Sequence, residues 1–260
     1  MQLPELEVIL RTSTGPNVHM GKRFVTFNKE TLLLGCLYSL LETIKEAHGL
    51  ANIHLTIIDD HSVPTAKSSM RLMVAASAVP VTLVDLEGTG NRASLSAVYE
   101  YARNNAKELI YFVEDDYLHA KNAISEMLSA YVDFQKRLAG SEVGFFPVDY
   151  PDVYLPDIIS PARLVLGEHR HWRTTNYTTG TILVSKKLLL KCWYNFLGFS
   201  LYGLAPEIYE GTTLNKIWKE ENNFMFSPIP TLAIHMQFQE NIPPFTDWRK
   251  WWDNYSHASS

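Results

Sequence analysis

The chain is poor in cysteine and has no excess of positive charge. Its two cysteines, Cys36 and Cys192, lie in apolar segments and provide neither a disulfide framework nor zinc-ligand spacing. We therefore expect two buried free thiols and a reducing compartment. The net charge of −5 argues against a protein that binds nucleic acid by neutralising the phosphates of a duplex. A single bound nucleotide remains compatible with this charge, since a metal ion can supply local positive charge.

Long hydrophobic runs are also missing. The apolar stretches are strand-sized or interrupted by charge, so we expect no integral membrane segment. The first five residues have neither a basic region nor an apolar region of a signal peptide, which makes the cytoplasm the expected location. A lumenal domain separated from its anchor is the alternative. With 46% hydrophobic and 20% charged residues, 260 residues are enough for a substantial core.

Short apolar runs alternate with segments of helical periodicity along the chain. In the first half, the predicted strands are 8–10, 54–58, 81–84 and 109–113, and the predicted helices are 31–47, 65–78 and 91–106. In the second half, we predict strands at 144–148, 177–184 and 229–238, and helices at 121–138, 185–195 and in the later part of 207–220. Such alternation is typical of parallel βαβ units. Ligands of such sheets bind outside the carboxyl ends of the strands.

Three acids directly follow one of these predicted strands. Glu114, Asp115 and Asp116 come after Ile110–Val113, and the strand must surface there because an unpaired carboxylate is costly in an apolar core. Adjacent carboxylates repel one another, and Mg²⁺ or Mn²⁺ would relieve that repulsion. The alternative is a solvated acidic turn before a helix, with one of these acids as the N-cap. The residue pattern alone leaves both interpretations open.

Several segments taken in order resemble a known family. They are Ile57–Ser62, Gly90–Ser94, Val113–Asp116, Thr179–Val184, the acidic segment around Glu207 and Glu210, and Ile234–His235. Together they resemble the glycosyltransferases of the GT-A fold, in particular the family 2-like branch, over residues 8–235. The resemblance implies an α/β fold with a Rossmann-like, mixed and mostly parallel central sheet flanked by helices. It also implies a single compact domain with two abutting lobes.

The resemblance implies a division of labour along the chain. Residues 1–118 would form the nucleotide-sugar-binding lobe, residues 119–240 the acceptor and catalytic lobe, and residues 241–260 an aromatic tail that could serve as a lid. In the family, an Asp after the second strand binds the nucleotide base. Asp60 matches this position, with Asp59 as its neighbour. The alternative for Asp60 is a turn-forming side chain.

The same resemblance assigns further roles to residues near the strand ends. Asp115 would face the ribose, and Asp116 would bind the metal on the diphosphate, with Glu114 and His235 as the other candidate ligands. A metal bound by imidazole and carboxylate together favours Mn²⁺ over Mg²⁺. A core histidine is the alternative for His235. The remaining candidate nucleotide contacts are Thr12, Ser13, Asn91 and Arg92.

The candidate catalytic base is less clearly marked. Glu210 is our first choice and Glu207 the second, because Gly211 stands near the place of the family's usual Asp. A helix N-terminal acid stabilised by the macrodipole is the alternative, and a retaining enzyme would need no such base. The candidate acceptor or lid residues are Trp172, Arg173, Trp248 and Arg249. For the tail tryptophans, we expect docking on the core rather than on a membrane surface.

The function implied is a metal-dependent glycosyltransferase. It would move a sugar from a nucleotide-diphosphate donor, expected to be a UDP-sugar, to a glycan or other hydroxyl acceptor with inversion. The alternatives are a retaining enzyme of the same fold, a sugar-1-phosphate nucleotidylyltransferase and a non-catalytic carbohydrate-binding protein. The nucleotidylyltransferase is disfavoured because Arg11–Gly15 lacks the glycine-rich basic loop that such enzymes carry after the first strand.

Overall fold

A large mixed sheet organises the molecule. The computed structural model describes residues 3–15, 23–155 and 161–256. Its strands are β1 (Glu5–Thr12), β2 (Asn52–Asp59), β3 (Val81–Asp85), β4 (Leu109–Glu114), β5 (Tyr117–His119), β6 (Glu142–Phe145), β7 (Leu164–Leu166), β8 (His171–Thr175), β9 (Ile182–Ser185), β10 (Asn223–Ile229) and β11 (Ala233–His235). Nine of them form one sheet in the order β3-β2-β1-β4-β9-β6-β10-β8-β7. The first four strands of that order are parallel, whereas β9 runs antiparallel to both of its neighbours.

Helices cover both faces of the sheet. They are α1 (Lys29–Ala47), α2 (Pro64–Ala75), α3 (Gly90–Asn105), α4 (Ala123–Arg137), α5 (Lys186–Lys191), α6 (Trp193–Phe199), α7 (Leu214–Ile217) and α8 (Trp248–Ser256). The longest, α1, begins where the Asn28 side chain accepts a hydrogen bond from the Thr31 N–H at 2.8 Å, which satisfies one of the free donors of the first turn. Two large apolar clusters, which both include residues of β1 and β4, form the core. The α/β architecture predicted from the periodicity is therefore confirmed.

Two parts of the second half differ from the prediction. The strand expected at 229–238 is divided: β10 ends at Ile229 and belongs to the large sheet, whereas β11 lies elsewhere. Pro228 lies within β10 but beyond Phe226, where the pairing with β6 ends, so its missing N–H interrupts no bond to that strand. The helix expected at 185–195 is two short helices, with Cys192 between them.

A two-stranded ribbon stands apart from the large sheet. β5 follows β4 after two residues and pairs antiparallel with β11, with His235 opposite Tyr117. The N–H of Met236 donates to the Asp116 carbonyl at 2.8 Å and extends this pairing. The ribbon thereby brings a late segment of the chain directly beside the acids that end β4.

The aromatic tail forms α8 and packs on α1. Trp252 is 6% exposed and stacks on Phe27 with 4.2 Å between ring centroids. Trp248 packs edge-to-face on Phe24 at 5.0 Å. These contacts agree with the docking on the core that we expected from the sequence.

Two further expectations concern membranes and cysteines. Among the described residues, no helix is long and apolar enough to cross a membrane. Cys36 and Cys192 are buried free thiols.

Gly35 of α1 lies against the Trp252 ring of α8. A Cβ at this position would lie 2.5 Å from the Trp252 ring. Alanine in a helix interior normally stabilises by about 0.5–1 kcal/mol relative to glycine. We nevertheless expect Gly35→Ala to lower the free energy of unfolding by about 1–3 kcal/mol, because the indole must move out of its site. Urea denaturation followed by tryptophan fluorescence measures this change.

Gly49→Ala is the matched control, since a Cβ there would meet nothing within 4 Å. We expect its unfolding midpoint to equal or exceed that of the wild type. A Gly35→Ala protein as stable as the Gly49→Ala protein would contradict the packing of α8 described above.

Candidate functional site

A cleft of about 780 Å³ opens at the carboxyl ends of the parallel strands. Nine of the site residues predicted from the sequence line it: Thr12, Ser13, Asp60, Asn91, Glu114, Asp115, Asp116, Glu210 and His235. They come from β1, β2, α3, β4, β11 and the loop before α7, so they converge only in the folded chain. This is the edge at which open parallel sheets bind their ligands.

Each of the three acids after β4 has its own basic partner. Arg11 contacts the Glu114 carboxylate at 2.8 Å, Arg23 contacts Asp116 at 2.8 Å, and Lys29 forms a short ion pair with Asp115. The side chains of the two aspartates and their partners are 9–12% exposed, so solvent screens these attractions only weakly. The protein's own cations therefore relieve the repulsion between the acids. That repulsion is no evidence for a metal, contrary to the expectation from the sequence.

Charge neighbours keep this cluster ionised despite its burial. Burial alone would raise the pKa of the Asp116 carboxyl, but His235, Lys29 and Arg23 hold that pKa well below its usual value. Burial would likewise lower the pKa of the Lys29 ammonium, but Asp115 and Asp116 raise it. Opposite charges within a few ångströms favour the charged forms of both partners. Asp116 and Lys29 are therefore both charged in these contacts.

Two predicted nucleotide-binding carboxylates organise the loops around the cleft. Asp115 accepts the Ser13 N–H at 2.9 Å. Asp60 accepts the Gly90 N–H at 2.8 Å, and its other oxygen lies 3.0 Å from Nδ1 of His61. Gly90 has a φ of +86°, a left-handed conformation that suits glycine at the start of α3. Both carboxylates still line the cleft, and each carboxylate oxygen can accept more than one hydrogen bond.

Two of the three predicted metal ligands face each other. Nε2 of His235 lies 3.5 Å from one carboxylate oxygen of Asp116, and its Nδ1 lies 2.7 Å from the Tyr150 hydroxyl. In the tautomer whose Nδ1–H donates to Tyr150, Nε2 is free to bind a metal. This imidazole and carboxylate fit a divalent cation that takes its other oxygens from a diphosphate. Glu114, the third predicted ligand, forms an ion pair with Arg11 at 2.8 Å, as Asp116 does with Arg23, and is not part of this facing pair.

No larger metal-binding group is preformed. Across residues 3–15, 23–155 and 161–256, no cluster of three or more His, Cys, Asp or Glu side chains could hold a metal ion. A metal held by the Asp116–His235 pair would therefore need further oxygens from a bound ligand.

The two candidate bases are in different environments. Glu210 lines the cleft and begins a short 3₁₀ helix, whereas Glu207 is exposed and outside the cleft. Burial and the nearby Glu114 charge raise the pKa of the Glu210 carboxyl, which outweighs the opposing effect of His235. A carboxylate with a raised pKa is a better proton acceptor near neutral pH. Of the two candidates, only Glu210 lines the cleft.

Three further predicted nucleotide contacts are Thr12, Asp59 and Arg92. Thr12 lines the cleft, and its hydroxyl donates to Asp59 at 2.8 Å. Asp59 also accepts the Ser62 N–H at 3.0 Å and lies 3.2 Å from Lys67. It is therefore a structural carboxylate that shapes the turn after β2. Arg92 is exposed on α3 and does not line the cleft.

The predicted acceptor and lid residues lie outside the cleft, which corrects the expectation from the sequence. Trp172 is 1% exposed and packs edge-to-face on Phe145 at 5.0 Å, inside the core. Arg173 is buried in an ion pair with Asp149 at 2.8 Å. Trp248 and Arg249 belong to the docked helix α8 and do not line the cleft. The core encloses Trp172, so its side chain has no accessible surface that could contact an acceptor.

Other residues that line the cleft were missed. They are Arg11, Arg23, Lys29, Tyr150, Asp152, Tyr177 and Tyr202. Lys29 could have been predicted from the sequence. The helix macrodipole disfavours a cation in the first turn, so a lysine at that position indicates a nearby acid that stabilises it. The others stand in loops or strand ends whose approach to the acids no local periodicity reveals.

The family comparison decides which proteins the chain is related to. The sequence model of glycosyl transferase family 2 matches residues 24–199, more than half of the chain. The chain belongs to glycosyl transferase family 2. The match covers the segments after β1 through α6, including the three acids, and ends before Glu210 and His235. The resemblance proposed from the sequence is confirmed.

Solved structures match this family 2 chain at the level of the fold. GalNAc-T7 has a TM-score of 0.57 and 12% identity, over 97% of this chain and 50% of its own. TarS of S. aureus has a TM-score of 0.53 and 12% identity, over 86% of this chain and 36% of its own. Its 1–349 form has a TM-score of 0.51 and 12% identity, over 86% and 60% respectively. These likenesses confirm the GT-A fold.

The family 2 chain is shorter than the solved proteins that it resembles. It spans between 36% and 60% of the length of those three chains. No functionally curated protein matches its sequence. Membership in the family and the fold are thus established by the comparisons, and the reaction is a matter for proposal.

Trp172→Ala distinguishes a core residue from an acceptor contact. We expect it to lower the free energy of unfolding by about 3–5 kcal/mol, as large-to-small substitutions in a packed core do. Chemical denaturation measures this loss, and Trp172→Phe should lose less because it keeps most of the contact with Phe145. A Trp172→Ala protein with wild-type stability would contradict the burial of this indole.

Proposed function

We propose that this chain is a metal-dependent glycosyltransferase that uses a nucleotide-diphosphate sugar, a UDP-sugar in particular. The observation that carries the proposal is the convergence, in one cleft, of Asp60, Asp115, the Asp116–His235 pair and Glu210. The fold class brings these residues to the strand ends where nucleotides bind in sheets of this kind. A structure of similar fold, GalNAc-T7, was solved with UDP, GalNAc and Mn²⁺, and this supports a UDP-sugar and a metal here.

Each residue has a role that its surroundings support. Asp60 would bind the nucleotide base and Asp115 the ribose. Asp116 and His235 would hold a Mn²⁺ or Mg²⁺ ion that neutralises charge on the diphosphate when bound. Arg23 and Lys29 line the same cleft and add positive charge that favours the departing diphosphate.

The transfer itself would proceed with inversion. The acceptor hydroxyl oxygen attacks the anomeric carbon of the donor sugar, and the bond from that carbon to the diphosphate oxygen breaks. The diphosphate leaves with the bonding electron pair, and the hydroxyl proton passes to the Glu210 carboxylate. The raised pKa of Glu210 suits this proton transfer.

Asp116→Ala tests the donor site. Wild-type protein should bind UDP in the presence of Mn²⁺, and this variant should lose most of that affinity because half of the proposed metal pair is gone. Isothermal titration calorimetry with and without EDTA measures both effects. The control is Asp133→Ala, which removes an acid from an ion pair on the far-lying helix α4. Equal UDP affinity in Asp116→Ala and Asp133→Ala would rule out the metal assignment.

Glu210→Gln tests the base. We expect kcat to fall by roughly 10²–10⁴-fold, the usual contribution of a general base, while UDP affinity stays near that of the wild type. Because the pKa of Glu210 is raised, the wild-type rate should rise with pH through a range above that of an ordinary carboxylate, as the group loses its proton. A sugar-transfer assay between pH 4 and 9 records this limb, which the variant should lack.

Glu207→Gln is the matched control for the base, since the same change falls on an exposed acid three residues earlier. Its kcat and pH profile should match those of the wild type. Activity that survives in Glu210→Gln would disprove Glu210 as the base, and activity that survives in both variants would disprove the inverting assignment and favour a retaining enzyme.

A further inference from the structure

An aromatic wall continues the cleft beyond Glu210. Tyr177 is 46% exposed and Tyr202 is 43% exposed, and both line the cleft. Each is braced by a buried ring: Tyr150 lies 6.3 Å from Tyr177, and Phe199 lies 5.6 Å from Tyr202, between ring centroids. Exposed aromatic rings that are held from behind present a ready surface for a ligand at little cost in side-chain entropy.

Two carboxylates accompany these rings. Burial, followed by the charges of Asp152 and Glu210, raises the pKa of Tyr177, and the Glu210 charge is the main cause of the raised pKa of Tyr202. All four side chains line the same cleft. One oxygen of Asp152 is buried and has no hydrogen-bond donor in the part of the chain that the structure describes. Its hydrogen-bonding capacity is therefore unused there.

The charged side chains of the cleft differ in whether they have an ion-pair partner. The basic side chains that line it, Arg11, Arg23 and Lys29, are each held by an acid after β4. Asp152 and Glu210 form no ion pair with any residue in 3–15, 23–155 or 161–256. Tyr177 and Tyr202 thus share the cleft with two carboxylates that have no ion-pair partner in those ranges, and a further negative charge brought beside them would be repelled.

We propose that Tyr177, Tyr202 and Asp152 form the acceptor subsite, and that it takes an uncharged pyranose unit of a glycan. The C–H face of such a ring packs on aromatic side chains, and its hydroxyls donate to carboxylates. This inference rests on the proposed function, in which Glu210 receives the acceptor's proton. It selects among hydroxyl acceptors: sugars that carry a phosphate or a carboxylate are disfavoured.

Saturation-transfer NMR with simple glycosides tests the subsite without knowledge of the donor sugar. The probes are the methyl β-glycosides of glucose and galactose, with methyl β-glucuronide as the anionic counterpart. UDP and Mg²⁺ are present, because paramagnetic Mn²⁺ would broaden the signals. We expect saturable binding of the uncharged glycosides and weaker binding of the glucuronide.

Variants connect that binding to the wall. Tyr177→Ala and Tyr202→Ala should each lower the affinity for uncharged glycosides by roughly three- to tenfold, the effect of losing one aromatic contact. Tyr177→Phe and Tyr202→Phe keep the ring and should keep most of this affinity. Asp152→Asn should narrow the preference for glucoside over glucuronide. Tyr194→Ala is the control, because Tyr194 is 85% exposed on α6 and does not line the cleft.

UDP affinity is measured on the wild type and on every variant. It distinguishes a failure of the proposed function from a failure of the acceptor subsite alone. Failure of the wild-type protein to bind UDP would contradict the proposed function, and the acceptor subsite would fall with it. With UDP bound, three results would overturn the subsite alone. These are an absence of saturable binding by uncharged glycosides, a preference for the glucuronide, and glycoside affinities that both alanine variants leave unchanged.

Discussion

The neutralisation of three adjacent carboxylates by three cations is the constraint on which the cleft depends. Glu114, Asp115 and Asp116 end the strand at the centre of the molecule, where unpaired charge would be costly. Their partners come from β1, from the segment before α1 and from the first residue of α1. The ion pairs therefore tie the sheet to α1 and set the edge of the cleft. Within this cluster the three cations and the three carboxylates balance in charge.

The ribbon of β5 and β11 explains how a late residue reaches these acids. Because His235 pairs with Tyr117 across the ribbon, its ring stacks on the Tyr117 ring with 4.5 Å between centroids. The Tyr150 hydroxyl fixes the other side of the imidazole at 2.7 Å. Tyr150 also braces Tyr177, so one buried aromatic residue supports both ends of the cleft.

Much of the fold and part of the site could be predicted from local patterns. The helix periodicity located α1, α3 and α4 within a few residues, and the junction of apolar strand and acids located the end of β4. The prediction failed where a local pattern has two interpretations. An aromatic and basic segment such as His171–Arg173 looks like a ligand surface, but its Trp172 fills the core. A strand with an internal proline, such as β10, looks like a loop.

By itself the sequence determined the alternation of strands and helices and the position of polar residues at the strand ends, because both follow from periodicity and from the cost of burying charge. Only the tertiary structure decided which charges pair and which carboxylates remain free. Arg23 meets Asp116 across 93 residues, and Lys29 meets Asp115 across 86. Contacts of this range depend on the register of whole elements packed against one another, which no local window of the chain contains.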